Sequence, residues 1–143
     1  ASGLGAGSQA SGQTASVFRN IFPSHEIGVP IQTFRPEQLR SMAGRRLNYV
    51  VTESGDLVLG RQARGVGGGH IDLAGGAPVK AAGEVKVVGG SIRYIDNSSG
   101  HYLPSGSSAR DAALSAFRSN GFDIPDTVYI EKIWDSQKGW IAK

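Results

Sequence analysis

Hydrophobic and polar positions alternate in short runs along this chain, the period of half-buried strands and not of long helices. Leu47–Thr52 (LNYVVT) is β-branched and aromatic and predicts a strand. Glu53-Ser54-Gly55-Asp56 reads as a turn, and Leu57-Val58-Leu59 returns as a second strand. Gly69–Gly76 reads as a His-led turn closed by glycines. The clearest hairpin runs from Ala82 to Val88, turns at Gly89-Gly90 and returns through Ser91–Ile95. With those glycines as a two-residue loop, Val88 faces Ser91, Val87 faces Ile92, Lys86 faces Arg93 and Val85 faces Tyr94. Period-two alternation then sends Val85, Val87, Ile92 and Tyr94 to the core, and Glu84, Lys86 and Arg93 to the other face.

Helical spacing is confined to one long segment, about 108–120. Ser107 or Ser108 caps it, Leu114 and Phe117 lie on its apolar stripe, and Gly121 stops it. Pro23, Pro30 and Pro36 forbid a helix over residues 17–36 and predict an extended wrap, with a short helix opening at Pro36 and ending near Met42. Thr127–Trp134 reads as a last strand with Trp134 in the core, and Lys138–Lys143 as a tail. Residues 1–16 are Gly, Ser, Ala and Gln with one leucine and no charge, the composition of a flexible leader. The pattern therefore predicts an α+β fold: a central antiparallel sheet of hairpins, one main helix and a Pro-rich N-terminal wrap, all in one domain over 17–143.

Composition narrows the chemistry. The 143 residues include no cysteine, which removes disulfides, thiolate nucleophiles and cysteine-bound zinc. No apolar run reaches the roughly 18 residues that cross a bilayer, so no membrane association is expected. The 21 glycines favour tight turns, and the net charge of +3 is a mildly basic surface compatible with a nucleic-acid partner.

Candidate chemistry concentrates between His70 and Tyr102. Glu84, Lys86, Arg93 and His101 form the minimum kit for metal-free phosphodiester cleavage: a carboxylate base, a guanidinium for the phosphorane and an imidazole acid. The competing structural reading makes Glu84, Lys86 and Arg93 the solvated face of a hairpin. His70 and His101 each follow a glycine beside a tight turn, with Asp72 near the first. The spacing is not that of a metal site. It suits a general acid or base, or imidazoles that lock loops onto backbone carbonyls. The serines lack a G-x-S-x-G context, and Gly65–Gly69 lacks the Lys-Ser/Thr of a phosphate loop. Among the aromatics, Tyr94 and Trp134 read as core, and Tyr102 as lining a site.

Residues 69–106 resemble a module at the C-terminal ends of bacterial polymorphic toxins of the Rhs and contact-dependent type. The shared features are an H-x-x-L-x-x-G turn at His70–Gly76, an A-A-G-E strand at Ala81–Glu84 and an S-G-H-Y-x-P turn at Ser99–Pro104. A similar string occurs in the core of plant calmodulin-binding IQ-motif proteins, although no IQ helix is visible in this chain. The toxin resemblance implies a monomeric warhead carried on a larger effector into the cytoplasm of a target cell. Its partners there would be a cognate immunity protein and the RNA or translation machinery of that cell.

The order Glu84, Arg93, His101-Tyr102 is also similar to that of barnase-type ribonucleases, with shorter spacings. On that reading Glu84 is the general base, His101 the general acid, Arg93 and Lys86 phosphate clamps and His70 an auxiliary group. Tyr102, Asp72 and Ser99 contact substrate, and no cofactor or metal is required. An alternative within the toxin class is an ADP-ribosyltransferase. There His70 holds the ribose of NAD, Tyr102 or Tyr94 stacks on nicotinamide, and Glu84 or Glu131 orients the acceptor. A third reading is a non-catalytic binding module.

Overall fold

The computed structural model describes residues 17–24, 32–61 and 69–143. The leader, residues 1–16, and most of the 61–69 glycine loop lie outside the described residues, as does the centre of the Pro-rich wrap.

Chain order is β1 (Thr33–Phe34), a 3-10 turn (Pro36–Ser41), β2 (Gly44–Thr52), β3 (Leu57–Arg61), α1 (His70–Ala74), β4 (Val79–Val88), β5 (Ser91–Asp96), α2 (Gly106–Ser119), β6 (Tyr129–Ile130), β7 (Lys132–Asp135) and β8 (Gly139–Ala142). The first six strands form a sheet in the order β1-β3-β2-β4-β5-β6, antiparallel except where β6 joins β5 in parallel. β7 and β8 make a separate two-stranded hairpin. The fold is α+β, as the sequence pattern predicts. The long β2–β4 pairing sets the frame, and α2 supplies the cover that a one-sided apolar sheet requires.

Alternation divides the sheet cleanly. Leu47, Tyr49 and Val51 of β2, Val85 and Val87 of β4 and Ile95 of β5 point to one side. There they pack against Ala113, Leu114 and Phe117 of α2 and against Phe122. Val50 and Ala82 point to the opposite, outer side, where Ile71 of α1 and Tyr102 bury them. α1 thus covers only part of the outer face.

One glycine is fixed by sterics. Tyr49 lies opposite Gly83, and its ring crosses the bare backbone so that the hydroxyl donates to the Asp96 carbonyl oxygen at 2.7 Å. A Cβ on Gly83 would sit 1.9 Å from that same oxygen.

Several expectations require correction. The His70 turn is a short helix, closed by Gly75 at φ 61. Gly89 and Gly90 do turn the hairpin, and Val88–Ser91 and Val87–Ile92 pair as expected. Between Lys86 and Val87, however, the register shifts, so Lys86 pairs with Tyr94, and Val85 with Ile95. Arg93 has no partner in that register, Ile95 takes the core position expected for Tyr94, and Tyr94 joins the polar face. A single inserted residue reverses the faces on either side of it, which alternation alone does not reveal. Residues 138–143 are a strand edge and not a tail, and Trp134 is 60% exposed, because it belongs to a hairpin and not to the main sheet. The α2 cap position is Ser105, two to three residues ahead of the expected Ser107 or Ser108.

Candidate functional site

The half of the outer face that α1 leaves open carries the polar cluster. Its first rung is Arg46–Lys86–Tyr94, set directly across β2, β4 and β5. The second rung is Asn48–Glu84, with Asp96 following on β5. Arg46 and Glu84 approach diagonally to 3.9 Å, with Arg46 the more exposed of the two.

Asp96 anchors the cluster. It is fully buried, and its Oδ1 accepts from the backbone N–H of Glu84 at 2.9 Å, the N–H of Ser98 at 3.0 Å and the Ser98 hydroxyl at 2.7 Å. The carboxylate thus turns inward and caps the start of the turn that follows β5, as Asx side chains do. Its Oδ2 lies 2.9 Å from Lys132 Nζ. Burial opposes the charge on Lys132, but the Asp96 carboxylate outweighs it and raises the ammonium's pKa above the ordinary value. Lys132 Nζ also stands 5.5 Å from the centre of the Tyr94 ring. Asn97 completes the attachment of β7: its side chain donates to the carbonyls of Pro104 and Lys132 and accepts from Lys132 N–H at 2.6 Å.

The histidines stand beside this cluster. His70 is buried, with Nε2 2.8 Å from the Gly83 carbonyl oxygen. Since a carbonyl only accepts, Nε2 carries the hydrogen of the neutral ring. Burial lowers the His70 pKa to about 4, against the raising pull of the Gly83 carbonyl and Asp96, and nearby His101 lowers it further. The imidazole is therefore neutral at pH 7, held as the loop-locking reading anticipates. His101 is half-buried, its ring edge-on to Phe22 at 5.6 Å, and its carbonyl accepts from Ile21 N–H.

The remaining sequence candidates are dispersed. Asp72 accepts from Gly69 N–H at 2.7 Å and closes the first turn of α1. Tyr102 is 2% exposed, and its hydroxyl donates to the Ala77 carbonyl. Ser99 is buried, and Arg93 is exposed at the bulged edge. So Glu84 and Lys86 share the open face, while His70 and His101 flank it. Tyr102, Asp72 and Ser99 lie within structural contacts. Asp96 and Lys132 are the site residues that sequence reasoning missed. Asp96 opens the run Asp-Asn-Ser-Ser-Gly, whose residue types suit a turn, and Lys132 lies 36 residues further along the chain with no local signal. Among the described residues there is no group of three or more His, Asp or Glu side chains arranged to hold a metal ion.

The sequence model of a family described as IQ motif-containing protein middle domain matches residues 28–109, more than half of the chain. The chain belongs to that family. The match spans β1 to the start of α2 and includes the whole open face except Lys132. It corrects the toxin resemblance: the string from His70 to Pro104 is that of an IQ motif-containing protein middle domain and not of a polymorphic-toxin warhead. The antibacterial effector assignment falls with it. No curated protein and no solved structure matches the chain. No helix among the described residues is long and apolar enough to cross a membrane.

Proposed function

We propose that this domain is the folded binding module of a calmodulin-linked IQ motif-containing protein, and that the open outer face docks the acidic, calmodulin-type partner. One observation carries the reading: the Arg46–Lys86–Tyr94 rung runs straight across three strands of the open outer face, and Lys132 stands 5.5 Å from the centre of the Tyr94 ring, so three cations and an aromatic ring share one surface. Arginine and tyrosine are residue types that anchor protein contacts, and the neighbouring lysines add charge complementarity toward an acidic partner. Two ionisable groups beside this face serve the fold: His70 holds the Gly83 carbonyl, and Asp96 holds the β5 turn and Lys132.

The helix-in-groove mode of calmodulin recognition needs an amphipathic helix with a free apolar face. In α2 that face is spent on the sheet, through Ala113, Leu114 and Phe117. Docking on this domain is therefore charge-led, with fast association and strong salt dependence.

The test is titration of the chain with calmodulin, with and without calcium, at two ionic strengths. Saturable binding is expected, weakening as salt rises and falling by about tenfold or more in the double variant Arg46→Glu, Lys86→Glu. Circular dichroism establishes that the variant is folded. Absence of binding in both calcium states, or binding indifferent to the charge reversal, would overturn the reading.

A further inference from the structure

The β7–β8 hairpin carries apolar side chains on both of its faces. Cross-strand pairing sets Trp134 opposite Trp140 and Ile133 opposite Ile141. Successive residues of a strand point to opposite sides, so the indoles occupy one face and the isoleucines the other. Trp134 is 60% exposed and its neighbour Ile133 46%. At these two positions neither face of the ribbon is covered by the domain, although its root is tied down through Lys132 to Asp96 and Asn97. A docked protein surface covers one face of such a ribbon, whereas a medium that closes around it covers both.

Charge on the hairpin is segregated as well. Its carboxylates turn back onto the chain: Glu131 Oε2 accepts from Gly106 N–H at 3.2 Å, and Asp135 Oδ1 accepts from the N–H groups of Gln137 and Lys138 at 2.8 Å each. Lys138 in the turn and Lys143 after β8 are exposed and join none of the ion pairs among the described residues. Free ammonium groups therefore bracket the strand that carries Trp140.

We propose that the β7–β8 hairpin is a lipid-surface anchor. Trp134, Trp140 and Ile133 enter the boundary between headgroups and acyl chains of an anionic leaflet, and Lys138 and Lys143 pair with its headgroups. Indole suits that layer, with an apolar body and an N–H that keeps a hydrogen-bond partner there. Four residues per strand make a ribbon about 10 Å long, commensurate with the roughly 5–10 Å to which interfacial segments sink. Contact with one leaflet needs no membrane-crossing segment. The inference does not depend on the calmodulin reading, because the Arg46–Lys86–Tyr94 rung takes no part in it.

Trp134 and Trp140 are the two tryptophans of the chain, so indole emission reports this hairpin alone. In the experiment the full chain meets vesicles of phosphatidylcholine, with or without phosphatidylserine, and is followed by sedimentation and emission wavelength. Co-sedimentation with a blue shift is expected on the phosphatidylserine vesicles. Replacing both lysines, Lys138→Gln with Lys143→Gln, should weaken that binding by about tenfold or more. The pair Ile133→Ser and Trp134→Ser should abolish the blue shift of the remaining Trp140 and release the chain from the pellet. Circular dichroism verifies that both variants fold. Sedimentation without a blue shift would place the lipid on the basic sheet face and overturn the anchor. Failure to bind the anionic vesicles, or affinity indifferent to the lysine replacements, would overturn it as well. Vesicle binding intact in the Ile133→Ser, Trp134→Ser variant, with calmodulin binding lost, would make the hairpin a protein contact instead.

Discussion

Lys132 Nζ stands 2.9 Å from Oδ2 of Asp96, a carboxylate with no exposed surface, and this pair ties the β7–β8 hairpin to the open face of the main sheet. Removing the cation leaves a buried charge whose other oxygen is already saturated by the β5 turn. Breaking a buried pair from one side costs about 3–5 kcal/mol, and the partial exposure of Lys132 places this case toward the low end. Lys132→Met is expected to destabilise the chain by about 3 kcal/mol in urea unfolding, and Asp96→Asn by less, because the amide carries no unpaired charge. Equal stability of Lys132→Met and wild type would show that the pair is solvent-screened.

Gly83→Ala tests the crossing of Tyr49. The added methyl group would overlap the Asp96 carbonyl oxygen, a backbone atom that no rotamer change can move aside. Overpacking in a close-packed core typically costs about 1–3 kcal/mol, and this contact is closer than most. Tyr49→Phe, which deletes only the hydrogen bond, should cost about 1 kcal/mol. Thermal melts of the two variants should rank in that order, and the reverse ranking would refute the geometric account.

His70 makes stability depend on pH with a definite sign. Its pKa falls from 6.5 in the unfolded chain to about 4 in the folded one. Between those values the unfolded chain binds a proton that the folded chain does not, so stability is full above pH 6.5 and declines as pH drops toward 4. The shift corresponds to about 3 kcal/mol. In paired denaturations at pH 7 and pH 4, His70→Gln should lose less stability on acidification than wild type by up to that amount. Identical pH slopes for the two proteins would show that His70 is not buried as a neutral ring.

The Trp134–Trp140 pair reports on the hairpin alone. The two rings meet edge-on at 5.6 Å, with Trp134 mostly in solvent. Such pairs contribute about 0.5–1.5 kcal/mol, and here the energy belongs to β7 and β8. Trp134→Ala should abolish the far-ultraviolet exciton couplet of the paired indoles while shifting the global unfolding midpoint little. A large loss of global stability would mean that the hairpin is integral to the main core.

How much of this was legible in the sequence follows from the range of each interaction. The Gly89-Gly90 hairpin, the Pro36 turn and the apolar stripe of α2 are local, each decided within a few residues, and all were readable. The face assigned to Tyr94 was not, because the shift between Lys86 and Val87 inverts the alternation without a sequence signature. His70 and Glu84 were readable as candidates, but the division of labour between them was not. Whether an imidazole meets solvent or the Gly83 carbonyl depends on where α1 settles on the sheet.

The amino-acid pattern by itself determined the α+β class, the central hairpins and the absence of thiol chemistry, since each follows from short-range periodicity or composition. Only the tertiary structure decided that Asp96 and Lys132 meet, that Tyr49 spans Gly83 and that Tyr129 is buried with its hydroxyl unpaired. Those relationships join residues 34 to 47 positions apart, or depend on how α2 packs against the sheet. Desolvation and charge pairing act through space and not along the chain.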